Sequence, residues 1–433
     1  MTTTTRSATT RKRRSRRGSV MLVTALSMPI IAGFAGLGID VGLWETNKRS
    51  LQTAADSAAI SGAIEKVRGY GMDSIRYAAN REAGRNAFHA GVDSTINVYN
   101  PPTTGPHAGD PNSVEVFLTR PEKPMLASLV FGSSVSLRVR SVATMQASGK
   151  ACVLALDPTA SSSAQVWGST SVDLAGCVLA ANSVSSTAID IGGSSSLNAA
   201  SLWTPGDYHE GNSASVTLAA AARTHAWAIP DPFANVQVPA FNGCAGGNNT
   251  SINNTRTLSP GVYCNGIDIQ SQAVVTLNPG TYVINRGDFN VAGGARVRCS
   301  CPNSTDGVTI ILTSSTQVSQ IGHVRINGGA DINLRAPSGT SDTYRGILFY
   351  QDRRASSASN QVDRLNGGAN MILKGAIYFP AQEVEWTGNN ASTDCVEIVA
   401  REVTFTGNSR LDVSGCAAAG TAPIQLTVAR VIE

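Results

Sequence analysis

The sequence predicts an α+β chain: a single N-terminal transmembrane helix, a small α/β module, and a C-terminal all-β domain resembling a right-handed parallel β-helix. Three observations predict it. An uncharged run at residues 18–39 follows a basic cluster. Short alternating apolar segments recur from Cys152 onward, separated by Gly, Asn and Ser turns. Gly is 42 of 433 residues while charged residues are only 15%, a balance that excludes a coiled coil or helical bundle. A hydrophobic content of 42% is enough to bury a core, so the chain as a whole is not disordered. We divide it into 1–18, a basic cytoplasmic tail; 19–65, the membrane helix and its continuation; 66–150, the module; and 151–433, the repeat domain.

The basic tail holds Arg6, Arg11, Lys12, Arg13, Arg14, Arg16 and Arg17 and no acid. The formal net charge is +4, so the remaining 27 basic and 30 acidic residues carry −3. A nucleic-acid-binding body would need a basic face, and no nucleic-acid partner is expected. As a helix, residues 18–39 would span roughly 33 Å, enough for a bilayer core. The positive flank places the N-terminus in the cytoplasm and the rest outside. A cleavable signal has an apolar region of ~7–15 residues and a small-x-small site. This run is longer and continues unbroken into polar helix, so an uncleaved signal anchor fits better. The same span argues against reading RKRRSRR as a nuclear signal.

Pro29 sits mid-span, followed by Ala32, Gly33, Ala35, Gly36 and Gly38. Small residues at this spacing let another helix approach in lipid, although a lone span has a similar glycine content. Beyond Trp44, the residues Leu51, Ala54, Ala55, Ala58, Ala59 and Gly62 recur at i, i+3, i+4, i+7, i+8 and i+11. They form one stripe of small side chains, with Asp56 between the alanine pairs. The stripe is expected to pack on another helix or on the domain that follows.

Taken together, the basic run, Gly18-Ser19-Val20, the span ending in Gly38-Ile39-Asp40-Val41-Gly42, and Arg49-x-Leu51-Gln52-x-Ala54-Ala55-Asp56-x-Ala58-Ala59 carry a resemblance. Residues 16–64 resemble the N-terminal segment of TadG-like Flp/tight-adherence pilus assembly proteins. The resemblance implies a single-pass bacterial inner-membrane protein of the tight-adherence secretion system, with its C-terminal domain in the periplasm. It implies other Tad pilus-assembly proteins or pseudopilins as partners; the small residues of the span add self-association through the N-terminal helix. Pseudopilins are cut after a Gly and carry Glu at the fifth mature position. Counted from Ser19, that position is Val23.

Residues 72–90 read as an amphipathic helix, with Ile75, Ala78, Ala79, Ala83 and Phe88 near one face. Alternating segments at 94–99, 113–119 and 134–144 read as strands, with a short helix at 126–131. A long N-terminal helix lying across such a sheet would be pilin-like, by analogy. His89 and His107 read as surface histidines.

In the repeat region one unit recurs: WGSTSVDL at 167–174, IGGSSSLN at 191–198, VAGGARVRC at 291–299 and INGGADINL at 326–334. The later copies are LNGGANMIL at 365–373, TGNNAS at 387–392 and TGNSRLDV at 406–413. Pro-Gly-x-Tyr occurs at 260–263 and 279–282. Most spacings lie near 19 to 24 residues, the size of one coil of a parallel β-helix; gaps of 35 and 39 are expected to hold two coils each. A β-sandwich is the competing architecture. The TadG resemblance extends to residues 152–158 (CVLALDP), the Pro-Gly-x-Tyr copies, 346–353 (GILFYQDR) and 375–380 (GAIYFP), as in members lacking a von Willebrand A domain. The metal motif Asp-x-Ser-x-Ser of that domain is absent.

All eight cysteines lie beyond residue 151, as disulfides in an oxidising compartment would. Cys152 and Cys177, Cys244 and Cys264, and Cys395 and Cys416 are each about one coil apart. Stacked strands ~4.8 Å apart suit a disulfide. Cys299 and Cys301 would sit ~6.8 Å apart in a regular strand, so their pairing needs a bend. A local disulfide is the first expectation, with free thiols or a zinc site as alternatives.

No phosphate loop, Ser/His/Asp order or His-Glu-x-x-His motif occurs. Two acid pairs could serve a glycosidase-type reaction: Asp268 with Asp288, and Glu383 with Glu385. Solvated or turn-capping acids are the simpler reading. His89, His107, His209, His225 and His323 show no ligand spacing. Trp203, Tyr208, Trp227 and Phe233 cluster in a Pro-rich insertion, expected to pack over the end of the β-domain, with a sugar or partner patch as the other reading. The expected function is a non-enzymatic, membrane-anchored component of pilus assembly, with no catalytic residue, metal or cofactor. A surface adhesin or minor pilin and a polysaccharide-active enzyme are the alternatives.

Overall fold

The structure is a computed structural model describing residues 17–126, 134–174, 176–357, 362–367, 371–387, 390–391 and 395–433, with backbone alone at 17–20 and 390–391. The basic residues at 6–16 lie outside it. So do most of the expected helix at 126–131, the Gly-Ala-Asn of the copy at 365–373 and residues 388, 389 and 392 of the copy at 387–392. The chain forms two compact units.

The first unit comprises residues up to Gln146 and the last seven, Thr427–Glu433. Those seven residues leave the repeat region, where the sequence placed them. Helix α1, Arg17–Val67, is continuous through Pro29 and 51 residues long, or ~77 Å. Pro29 removes one backbone donor without ending the helix, whose other residues are mostly Leu, Ala, Met and Gly in its apolar half. Helix α2, Met72–Arg85, buries Ile75, Ala78, Ala79 and Ala83. It stops short of residue 90 because Asn86 leaves helical geometry and Ala87 turns to φ 60°. Strands β1 (Thr95–Tyr99), β2 (Ser113–Glu122) and β3 (Val135–Ala155) follow. β2 pairs antiparallel with both neighbours. The chain's end joins this sheet: Ile432 N–H donates to the Val142 carbonyl at 2.8 Å, and Val142 N–H to that of Glu433 at 2.9 Å.

The second unit, Ala147–Leu426, is mostly β, with parallel strands. Each strand pairs with the strand one repeat away, and the repeated motifs lie directly on one another. Val291, Ile326 and Leu365 are successive partners, as are Val297, Ile332 and Met371. The gaps of 35 and 39 residues are therefore single repeats, not two coils each. The extra residues form loops, such as 300–307 and 336–346, outside the paired strands. Inward-facing Val, Ile, Leu and Phe fill a continuous core from Cys152 to Cys416.

The stacking order is not the chain order. Along one ladder the strands containing Leu202, Leu179, Val153, Ile398, Ile377, Phe349, Ile310, Tyr282 and Gly261 succeed one another. The early strands thus stack on the last one, Val396–Phe405. The copy at 406–413 likewise lies on that at 167–174, through Ser409 beside Val172.

Candidate functional site

The long helix presents two different surfaces. Met21, Leu22, Val23, Leu26, Met28, Ile30, Ile31 and Phe34 are all exposed, each by more than 60% of its surface. This helix is long and apolar enough to cross a membrane. Ala32 and Gly33 are exposed too, and nothing approaches the position a Cβ would take at Gly33. Gly36 is covered: an added Cβ would lie 3.2 Å from the Leu126 Cβ.

Further along, Leu51, Ala54, Ala55, Ala58 and Ala59 are buried within the chain itself. They share a core with Ile75, Ala79 and Ala83 of α2 and with Val114, Val116 and Val139 of the sheet. Small side chains let the sheet close on the helix; at Gly62 even a Cβ would sit 2.9 Å from Val114 Cγ1. The stripe of small residues therefore packs on the domain that follows. Asp56 accepts a 2.8 Å hydrogen bond from Gln52 Nε2, which also reaches the Arg140 carbonyl at 2.9 Å.

Asp40 is part of the Gly38–Gly42 motif that ends the uncharged span. It is buried at 1% exposure and accepts hydrogen bonds from the backbone N–H groups of Met125 (2.9 Å) and Leu126 (3.0 Å). Its signal in the sequence was an acid immediately after an uncharged span. Glu115 is likewise buried. Burial alone would raise its pKa, but hydrogen bonds from Thr103, Thr104 and Arg140 hold it down at about 2. Arg140 also bonds Glu433.

The eight cysteines lie as four pairs at disulfide distance. Cα separations are 5.6 Å for Cys152–Cys177, 5.4 Å for Cys244–Cys264, 5.3 Å for Cys299–Cys301 and 4.6 Å for Cys395–Cys416. The bend that 299 and 301 require exists, because the strand ends at Cys299. Among the described residues no group of His, Cys, Asp and Glu could hold a metal.

The aromatic insertion runs along the repeats rather than over their end. Residues 223–244 form an irregular strap. Trp203 Nε1 donates to the Trp227 carbonyl at 2.9 Å, and Asn182 bonds Ile229 through both backbone groups. Tyr378 donates to Asp231 (2.7 Å), Tyr350 to the Val236 carbonyl and Tyr344 to that of Gln237, both at 2.8 Å. The Cys244–Cys264 pair holds the far end. Tyr208 stays half-buried against the main core. Phe233 packs edge-on against Tyr378, centroids 5.2 Å apart. Tyr344, buried in this contact, is pushed up to about 12 by burial and by its neighbour Tyr350.

The two acid pairs separate in function. Glu383 and Glu385 share the outer face of their strand, alternating with buried Val384 and Trp386. Glu385 binds Arg364 Nε at 3.0 Å, while Glu383 lies beside Glu402 of the next strand. Glu402 is raised by burial and by that like charge, against the pull of Arg401. The 19-residue offset between Glu383 and Glu402 equals a repeat, a signal the sequence carried. Asp268 pairs in register with Asn290, not Asp288, yet both acids border one depression. Asp268 accepts from Gln270 at 2.7 Å, and Asp288 meets Arg325 at 3.3 Å. Each acid is thus held by its own partner. His89 is exposed, His107 lies 3.9 Å from Glu433, His209 bonds Asp190 and His225 bonds Thr224.

No curated protein and no solved structure matches the chain. At its N-terminus, over residues 18–65 that form the membrane-length helix and its buried small-residue stripe, the chain matches the Tad family, described as Flp pilus-assembly TadE/G-like.

Proposed function

We propose that this protein is a non-enzymatic, single-pass component of Flp/Tad pilus assembly, held in the inner membrane by α1 with both folded units in the periplasm. The observation that carries this reading is the division of the helix. Its first half exposes large apolar side chains, as a lipid-facing segment would. Its second half is built into a folded unit, so the anchor and the domain are one rigid element. The family match covers this segment. The basic flank supports the orientation by the positive-inside bias, and paired cysteines support an oxidising compartment. We read the second unit as a right-handed parallel β-helix, because its strands stack in parallel one repeat apart and parallel crossovers are right-handed. It serves as an interaction surface for other assembly proteins.

The test is fractionation of the native host with intact-mass measurement under non-reducing conditions. Full-length protein in the inner membrane, eight hydrogens lighter than its reduced form, is the expected outcome, together with loss of pili on deletion of the protein. A species starting at Ser19 in sheared pili would overturn the anchor and make the protein a minor pilin.

A further inference from the structure

The first residues after β2 lie against the membrane-length half of α1. The Leu126 side chain covers Gly36, where an added Cβ would lie 3.2 Å from the Leu126 Cβ. One helical turn further along, Asp40 accepts the backbone N–H groups of Met125 at 2.9 Å and Leu126 at 3.0 Å. Pro124, buried just before them in the chain, has no N–H to satisfy. Asp40, at 1% exposure, is itself withdrawn from solvent.

The helix sets the level of this contact. Its uncharged run ends at Ile39, and Asp40 is the first charge beyond it. At ~1.5 Å per residue, Gly36 lies about 4.5 Å inside that end. The residues after β2 therefore reach the depth at which the span stops. Met125 is 66% exposed there, and Leu126 is exposed as well. Exposed apolar surface also continues along the helix through Leu37, Ile39, Val41 and Leu43, past the end of the uncharged run. Lys123 is exposed just before the patch, and the sequence then carries no charge until Arg138.

We infer that this segment is a second membrane contact: Met125 and Leu126 sit among the lipids of the periplasmic leaflet, and Asp40 holds them on the helix. The inference rests on the reading of α1 as a membrane anchor. Lipid is the occupant because the patch lies level with the end of the lipid-facing span and adjoins it at Gly36. Backbone N–H groups at a lipid boundary lack water and need a partner within the protein. The Asp40 carboxylate supplies that partner to two successive residues, and the two charge-assisted hydrogen bonds satisfy the buried acid in return. Lys123 then lies at headgroup level, where a long side chain keeps its stem in apolar surroundings and its ammonium in water. A lone helix leaves a domain free to turn about the helix axis. A second contact fixes which side of the first unit meets the membrane.

The experiment is nitroxide quenching of a fluorophore on the full chain, reconstituted in vesicles of phosphatidylethanolamine and phosphatidylglycerol. Single cysteines are introduced as Met125→Cys, as Met28→Cys at mid-span and as Tyr70→Cys beyond the end of α1, all at exposed positions. Each is labelled with NBD under non-reducing conditions, and the parent chain treated alike gives the background. A nitroxide near the lipid headgroup should quench the label at Met125→Cys several-fold more than that at Tyr70→Cys. A nitroxide near the end of the acyl chain should quench Met28→Cys most. Adding Asp40→Ala should at least halve the quenching at position 125, because the freed N–H groups then need water, and should leave position 28 unchanged. Asp40→Asn, which keeps one acceptor oxygen, should fall between. Strong quenching at position 28 with none at 125 overturns the inference while the anchor stands, and leaves the patch to a protein partner. Absence of quenching at position 28 overturns the anchor and the inference with it. Unchanged quenching at position 125 in both Asp40 variants overturns the role given to Asp40.

Discussion

Glu397 lies on a central strand of the second unit with no exposed surface; one oxygen accepts the Ile424 N–H at 2.9 Å and the other has no partner. Burial pushes its pKa up to about 8. A raised acid stabilises the fold fully below the unfolded value, near 4.5, and loses that contribution as pH rises to about 8. Asp363, raised by burial to about 6, acts the same way over a lower window. Between pH 6 and 8 the slope belongs mainly to Glu397 and should approach ~1.4 kcal/mol per pH unit. Glu397→Gln should flatten it and be the more stable protein at pH 8, as followed by thermal melting across that range. At this scale the sequence was legible where chemistry repeats. Alanines 54, 55, 58 and 59 announced a close-packed face, and the cysteines announced their neighbours by spacing. Glu397 and Asp363 carried no such mark, because burial is a property of surroundings assembled from distant residues.

Elements in the second unit are held across their stack by the strap at 223–244. Three tyrosine hydroxyls from two neighbouring repeats fix it: Tyr344 and Tyr350 bond backbone carbonyls, and Tyr378 bonds Asp231. Each such bond contributes about 0.5–1.5 kcal/mol. The double variant Tyr344→Phe, Tyr350→Phe should keep the ring packing and lose two of these bonds. Chymotryptic cleavage after Phe233 or Phe241 should then accelerate several-fold, with the global melting temperature little changed. Unchanged cleavage would show that apolar packing alone secures the strap. The sequence showed an aromatic, Pro-rich insertion and suggested that it packs over one end. Its actual path along the side depends on stacked Tyr350 and Tyr378, which neighbour each other only because their repeats pair in register.

For the molecule as a whole, the second unit is an insertion. The chain leaves the first unit at residue 147 and returns at 427. A chain joining residues 17–146 to 427–433 through a short glycine linker should therefore fold in detergent, with protected amide exchange at Val142, whose N–H is held by Glu433. Rapid exchange there would mean that the first unit needs the second for its stability. Glu115 in the first unit and Glu397 in the second should also contribute with opposite sign as pH falls. Glu115, held at about 2, supports the first unit above its unfolded value near 4.5, and that support is lost as pH falls through 4.5 toward 2. Glu397 supports the second unit at low pH.

By itself the sequence determined the membrane-length helix, its small-residue face, the parallel repeats and the cysteine neighbours. Each is a local periodicity, and a backbone with 3.6-residue turns or stacked strands converts it directly into a surface. Only the tertiary structure decided that the gaps of 35 and 39 residues are single repeats with loops. It also decided that the first repeats stack on the last, and that the final strand closes the first unit. Those outcomes depend on which strand edges are left unpaired when the chain collapses. Backbone hydrogen bonds must be satisfied somewhere, and nothing in a local pattern names the partner.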